Sequence, residues 1–142
     1  SIVPGLAPYH GLRDFRVEGD VAYAVPNKCQ SDILNVKEII GRIVLVDRGE
    51  VSIIEKVLKT QTAGAKGVIV VDNGSCGQEF EYCGVQDGGF SREDGTHAWT
   101  GVKIPVVLVS EAEGQRLKGA MRLRTVVFER LGEQLVEQKQ DE

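Results

Sequence analysis

Gly41–Asn73, GRIVLVDRGEVSIIEKVLKTQTAGAKGVIVVDN, is the stretch whose reading decides the fold. Ile43-Val44-Leu45-Val46 and Val68-Ile69-Val70-Val71 are apolar runs of buried-strand length, rich in β-branched residues. Each runs into an Asp with a turn glycine just beyond it, as Asp47-Arg48-Gly49 and Asp72-Asn73-Gly74. Between them, Ser52-Ile53-Ile54-Glu55 has the form of a capping box, in which the Ser52 hydroxyl accepts from the Glu55 amide, so a helix is expected to start there. Ile54, Val57, Leu58 and Ala65 recur at the spacing of one helical face. Glu55, Lys56 and Lys59 fall on the other, and Gly64 or Gly67 can take the left-handed stop. Two parallel strands joined by a helix cross over right-handed. That leaves the loop Asp47-Arg48-Gly49-Glu50 at the carboxyl end of the first strand, a position that ligands favour.

Working outward, residues 1–14 hold prolines and glycines without a period and read as an irregular leading segment. Phe15-Arg16-Val17 and Val21–Val25 alternate around Gly19-Asp20, which predicts two antiparallel strands joined by a tight turn. Asn27–Ile40 is expected to be a loop or a single helical turn closing over the core. Downstream, Gly74–Gly101 is glycine-dense, without a period, and reads as one long loop. Ile104–Val109 returns as a strand, with Pro105 near its start. Ser110-Glu111-Ala112-Glu113 repeats the capping pattern and opens a helix to Lys118, stopped by Gly119. Met121–Phe128 reads as the last strand, and residues 129–142 as a charged tail, helical or frayed.

The 142 residues suffice for one domain with its own core. A net charge of −4 and the lack of any Lys/Arg block argue against nucleic acid or an anionic membrane surface as partner. No run is long enough to span a membrane, and the opening at Ser1 suggests a processed or excised fragment of a larger protein. Cys29, Cys76 and Cys83 are too few for a disulfide framework. Asn73-Gly74-Ser75 is a glycosylation sequon on an expected exposed turn, or else a chance tripeptide in a Gly/Asn turn.

The inventory for catalysis is thin. His10 and His97 belong to no two-His metal motif and no Gly-x-Ser-x-Gly elbow. Cys76 and Cys83 are too widely spaced for a zinc knuckle with His97, and the carboxylates from Glu79 to Asp94 lack the order of a calcium loop, so no metal and no cofactor is expected. Arg48 can present its planar fork to a peptide carboxylate at a helix start. Equally, it can cap carbonyls or pair with Asp47 or Glu50. The aromatics Phe80, Tyr82, Phe90 and Trp99 of the long loop either tack it to the domain or offer an interaction surface.

The order of these segments carries a family resemblance. Gly41–Gly49, Glu55-Lys56-Val57 and Gln61–Val70, with Ala24-Val25-Pro26 and Cys29 upstream and Lys103-Ile104-Pro105-Val106 downstream, are similar to the core signature of the protease-associated domain, over roughly Val21 to Leu117. That family commonly carries a Cys and a Phe after the Arg-Gly pair, where this chain has Val51 and Ile53. The resemblance implies an α/β domain over residues 15–128: an open β-barrel or sandwich of about seven strands with two or three flanking helices. It implies a non-catalytic module that binds peptides or regulates substrate access for a larger secretory-pathway or extracellular protein, such as a peptidase, glycosidase, ubiquitin ligase or sorting receptor. A purely structural lid or spacer is the alternative, and a small hydrolase using the acidic loop is a weaker one. The expected partner is a peptide or protein ligand, or an adjacent domain, with Arg48, Gly49, Glu50 and Trp99 as candidate contacts. The resemblance also suggests that Cys29 normally bonds to a Cys at position 51. Here Cys29 would then be a buried free thiol, and Cys76 with Cys83 the pair if a disulfide forms.

Overall fold

The computed structural model of the chain describes residues 15–74, 101–120, 124–131 and 134–141. Six strands and three helices follow one another as β1 (Phe15–Tyr23), α1 (Val36–Ile39), β2 (Ile43–Asp47), α2 (Ile53–Thr62), β3 (Gly67–Val71), β4 (Val106–Val109), α3 (Glu111–Ala120), β5 (Arg124–Leu131) and β6 (Gln134–Asp141). All six strands lie in one sheet, in the order β4-β3-β2-β1-β5-β6. The four from β4 to β1 run parallel, and β5 and β6 extend the sheet antiparallel. The mixed α/β class is as expected. Among the described residues there are six strands in a single sheet, where the sequence reading anticipated about seven in an open barrel or sandwich.

The central unit follows its local signals closely. The Ser52 hydroxyl accepts from the Glu55 amide at 3.3 Å, and α2 begins at the next residue. Gly64, at φ 102°, makes the left-handed stop, leaving Gly67 free to open β3. Along β2, β3 and β4 the alternation splits the core in two. Val44, Val46, Val68, Val70, Val106 and Leu108 pack with Ile53, Ile54 and Val57 of α2. On the opposite face, Ile43, Leu45, Ile69, Val71, Val107 and Val109 pack with Leu117 of α3. Strands covered on both faces are expected to be uniformly apolar, as these are.

On the second face the helix comes very close to the sheet. A Cβ added to Gly114 would stand 2.1 Å from one methyl of the buried Val71, so glycine is required at this contact. Gly114→Ala gains about 1 kcal/mol of helix propensity but forces α3 off Val71, and overpacking of a core costs about 1–3 kcal/mol. A net loss of about 2 kcal/mol in urea unfolding is expected. A variant as stable as the parent would show that α3 slides on the sheet without cost.

Three expectations are corrected. Phe15–Tyr23 is one strand, not two around a turn at Gly19-Asp20. It changes partner there, pairing with β5 over Phe15–Asp20 and with β2 over Val21–Tyr23. The two alternating runs are therefore one strand seen by two neighbours. The charged tail is not helical: Glu129, Arg130 and Leu131 complete β5, and Gln134–Asp141 pairs along it as β6. Register with β5 decides this, since an edge strand accepts charged side chains that a central one would not. Lastly, α3 continues through Gly119 to Ala120.

Candidate functional site

The carboxyl ends of β2 and β3 hold the loop that the sequence singled out. Its backbone is strained at one non-glycine position: Gly49 has φ 124° and Glu50 has φ 68°. The Val51 amide donates to the Gly49 carbonyl at 2.8 Å and closes the turn. Two side-chain tethers hold it. In the first, Arg48 Nη1 donates to Asp72 Oδ1 at 2.8 Å, with the two side chains only 12% and 4% exposed. Asp72 Oδ2 accepts in turn from the Gly74 amide at 2.9 Å. The arginine thus pairs across to the end of β3, not with Asp47 or Glu50 beside it in sequence.

The second tether is Lys56, which the helical pattern places on the polar face of α2 and the fold buries completely. Its ammonium donates to the carbonyl of Lys28 at 2.6 Å and to that of Gly49. Each acceptor immediately precedes a left-handed residue, Cys29 at φ 55° and Glu50 at φ 68°. One buried cation therefore pins two strained turns together. Burial pulls the Lys56 pKa below the usual lysine range. Lys59, one turn on, donates to the Cys29 carbonyl at 2.8 Å.

Beside these tethers lies a crevice of about 100 Å³, lined among others by Lys28, Asp47, Arg48, Asp72, Glu111 and Lys118. Asp47 accepts from the Tyr23 hydroxyl at 2.9 Å and from Lys118 Nζ at 2.9 and 3.1 Å. The same ammonium is 4.8 Å from the centre of the Tyr23 ring. Burial raises the Tyr23 pKa. For Lys118, burial acts downward, but the hydrogen bonds to Asp47 and Tyr23 outweigh it and leave the pKa raised. Folding therefore favours the protonated form of both groups. Their contribution is complete below the unfolded values, about 10 for both, and is lost as pH rises through the folded ones. Urea midpoints should accordingly fall from about pH 9 to about pH 11, and fall less in Tyr23→Phe, which removes one of the two titrations. Equal slopes in the two proteins would refute this assignment.

Of the candidate residues, Arg48 lines the crevice, and Gly49 and Glu50 follow it in the loop, with Glu50 exposed. Asn73 is exposed on the turn beside it. Trp99, Cys76 and Cys83 lie outside the described residues, as does Ser75 of the sequon. Cys29 is a fully buried free thiol whose pKa is pushed up by that burial. The sequence reading missed Lys56, Lys118, Tyr23 and Asp72 as parts of this site. Only Asp72 left a signal, in the Asp that ends the second apolar run.

A model of the PA domain family matches residues 17–117. The chain belongs to the PA domain family. It is 35% identical over 107 residues to the ER degradation-enhancing alpha-mannosidase-like protein 3 of Xenopus laevis, covering 74% of this chain and 11% of that protein. To the C5a peptidase of Streptococcus pyogenes serotype M3 it is 34% identical over 109 residues, 77% of this chain and 8% of the peptidase. In both cases the PA domain spans about a tenth of the relative's length. Among solved structures, an aminopeptidase from Aneurinibacillus sp. strain AM-1 superposes with a TM-score of 0.53 at 20% identity, over 96% of this chain and 30% of the enzyme. That likeness shows the fold. PA domains thus occur inside larger proteins, mannosidase-like and peptidase proteins among them. No helix among the described residues is long and apolar enough to cross a membrane.

Proposed function

We propose that this PA domain is a non-catalytic interaction module that presents its Arg-Gly loop to a peptide of a protein partner, within a larger protein of the secretory pathway or cell exterior. The observation that supports this is the way Glu50 is held: a non-glycine residue in the left-handed region, exposed, two residues on from the crevice-lining Arg48, on a loop tied by two buried tethers. Strain of this kind persists only where the surroundings enforce it, and it clusters at ligand sites. Arg48 positions the loop, since its fork is engaged by Asp72. The contacts left to a peptide are Glu50, for a basic group, and Lys28, whose chain lies over Gly49.

Panning a random peptide library on the intact chain tests the reading. Enriched peptides should bind Glu50→Ala and Lys28→Ala about tenfold more weakly, with the melting temperature unchanged, while peptidase, esterase and glycosidase substrates are not turned over. Equal binding by wild type and both variants would remove the crevice as the site. The small volume of the crevice favours a second reading, a lid or spacer with no ligand of its own, for which panning would enrich nothing. The proposed location carries its own test. Expressed through a secretory pathway, the protein should lose mass on enzymatic deglycosylation, and Asn73→Gln should abolish that loss.

A further inference from the structure

A second and wider concavity lies elsewhere, along α2 and away from α3. Its volume is about 490 Å³, within the range of real binding sites. One wall is a single stripe of α2, Glu55, Leu58, Lys59 and Thr62, at spacings of three and four residues, continued by Ala63 just past the helix end. The other is Asp32, Ile33 and Val36. Within residues 17–74 and 101–119 four large apolar side chains are exposed, Val25 (45%), Leu34 (78%), Val36 (38%) and Ile40 (59%), and all four fall in the segment that forms or adjoins this second wall. Ile40 reaches the end of α2, its Cγ1 lying 3.2 Å from where a Cβ on Gly64 would be. An apolar surface that continues beyond its groove fits a polypeptide better than a small molecule.

The rim charges select the partner. Glu55 and Lys59 pair at 3.5 Å, and Lys59 also donates to the Cys29 carbonyl. Asp32 is the rim charge with no hydrogen bond or ion pair among the described residues, so the mouth of an aliphatic groove carries an uncompensated carboxylate. A second copy would bring a second Asp32 to the same desolvating surface, and like charges there are unfavourable. We propose that this groove docks a segment of a partner protein that inserts two or three aliphatic side chains and sets a Lys or Arg against Asp32. The assignment does not depend on the crevice, which uses other residues.

Two labelled synthetic helical peptides test it, both with leucines at positions i, i+4 and i+7, one with Lys and the other with Glu at i+3. In anisotropy titrations against the intact chain, the Lys peptide should bind at least tenfold tighter than the Glu peptide. Asp32→Lys should reverse that preference, and Val36→Glu should weaken the Lys peptide at least tenfold. Both variants alter exposed side chains and should melt like the parent. No binding, equal binding of the two peptides, or binding that survives Val36→Glu overturns the proposal. A dimer in sedimentation velocity that Val36→Glu dissolves would assign the face to a second copy and overturn it too.

Discussion

Arg48→Ala is expected to destabilise the domain by about 3–5 kcal/mol, the range for removing one partner of a buried ion pair. The reason is what stays behind: Asp72 is 4% exposed and remains tied to the Gly74 amide, but the guanidinium that justified burying its charge is gone. Arg48→Ala with Asp72→Ala should recover part of the loss, because no charge is then stranded. Chemical unfolding of the two variants decides the matter. If Arg48→Ala unfolds within about 0.5 kcal/mol of wild type, the size of an ordinary surface change, the arginine is not a structural tie.

Lys56→Met should cost about 3 kcal/mol and loosen the two turns that Lys56 pins. Methionine keeps most of the volume, and it removes an ammonium whose burial is itself unfavourable, as its lowered pKa shows. Against that gain, the Lys28 and Gly49 carbonyls lose their donor, and an unsatisfied buried polar group costs about 1–3 kcal/mol. Hydrogen exchange gives a sharper readout than a melt. The amides of Cys29, Arg48 and Val51, each bonded within or beside these turns, should exchange faster, while those in β3 and β4 hold until global unfolding. Unchanged exchange at the three amides would mean that the turns keep their shape without the tie. The pH dependence of this group has the opposite sign to that of Lys118. With its folded pKa depressed, the burial penalty is relieved as pH rises toward the unfolded value, about 10.

What could be read in advance divides along physical lines. The β2–α2–β3 unit announced itself because its signals are local: a cap three residues long, a glycine stop, two β-branched runs. The site did not, because its bonds join residues far apart in the chain, Arg48 to Asp72 over 24 positions and Lys118 to Asp47 over 71. Helical periodicity even misplaced Lys56, since a lysine on a polar face is ordinarily solvated and nothing local shows that the Lys28 turn will cover it. The same holds for β1 and β6. Alternation correctly marked extended residues from Phe15 onward, but which neighbour they pair with, and that the acidic tail joins them, are set by tertiary register.

The Lys56 tether also bears on where such a domain can work. The family resemblance read from the sequence suggests a cystine where this chain has Cys29 and Val51, and a cystine needs an oxidant to form and can be reduced or shuffled afterward. Here the same two turns are joined by an ammonium and two carbonyls, complete as soon as the chain is folded. The remaining thiol is fully buried with its pKa raised, so it offers almost no thiolate for exchange. Among the described residues, then, the shape of the Arg-Gly loop rests on no disulfide, and the one thiol beside it is shielded from exchange with glutathione.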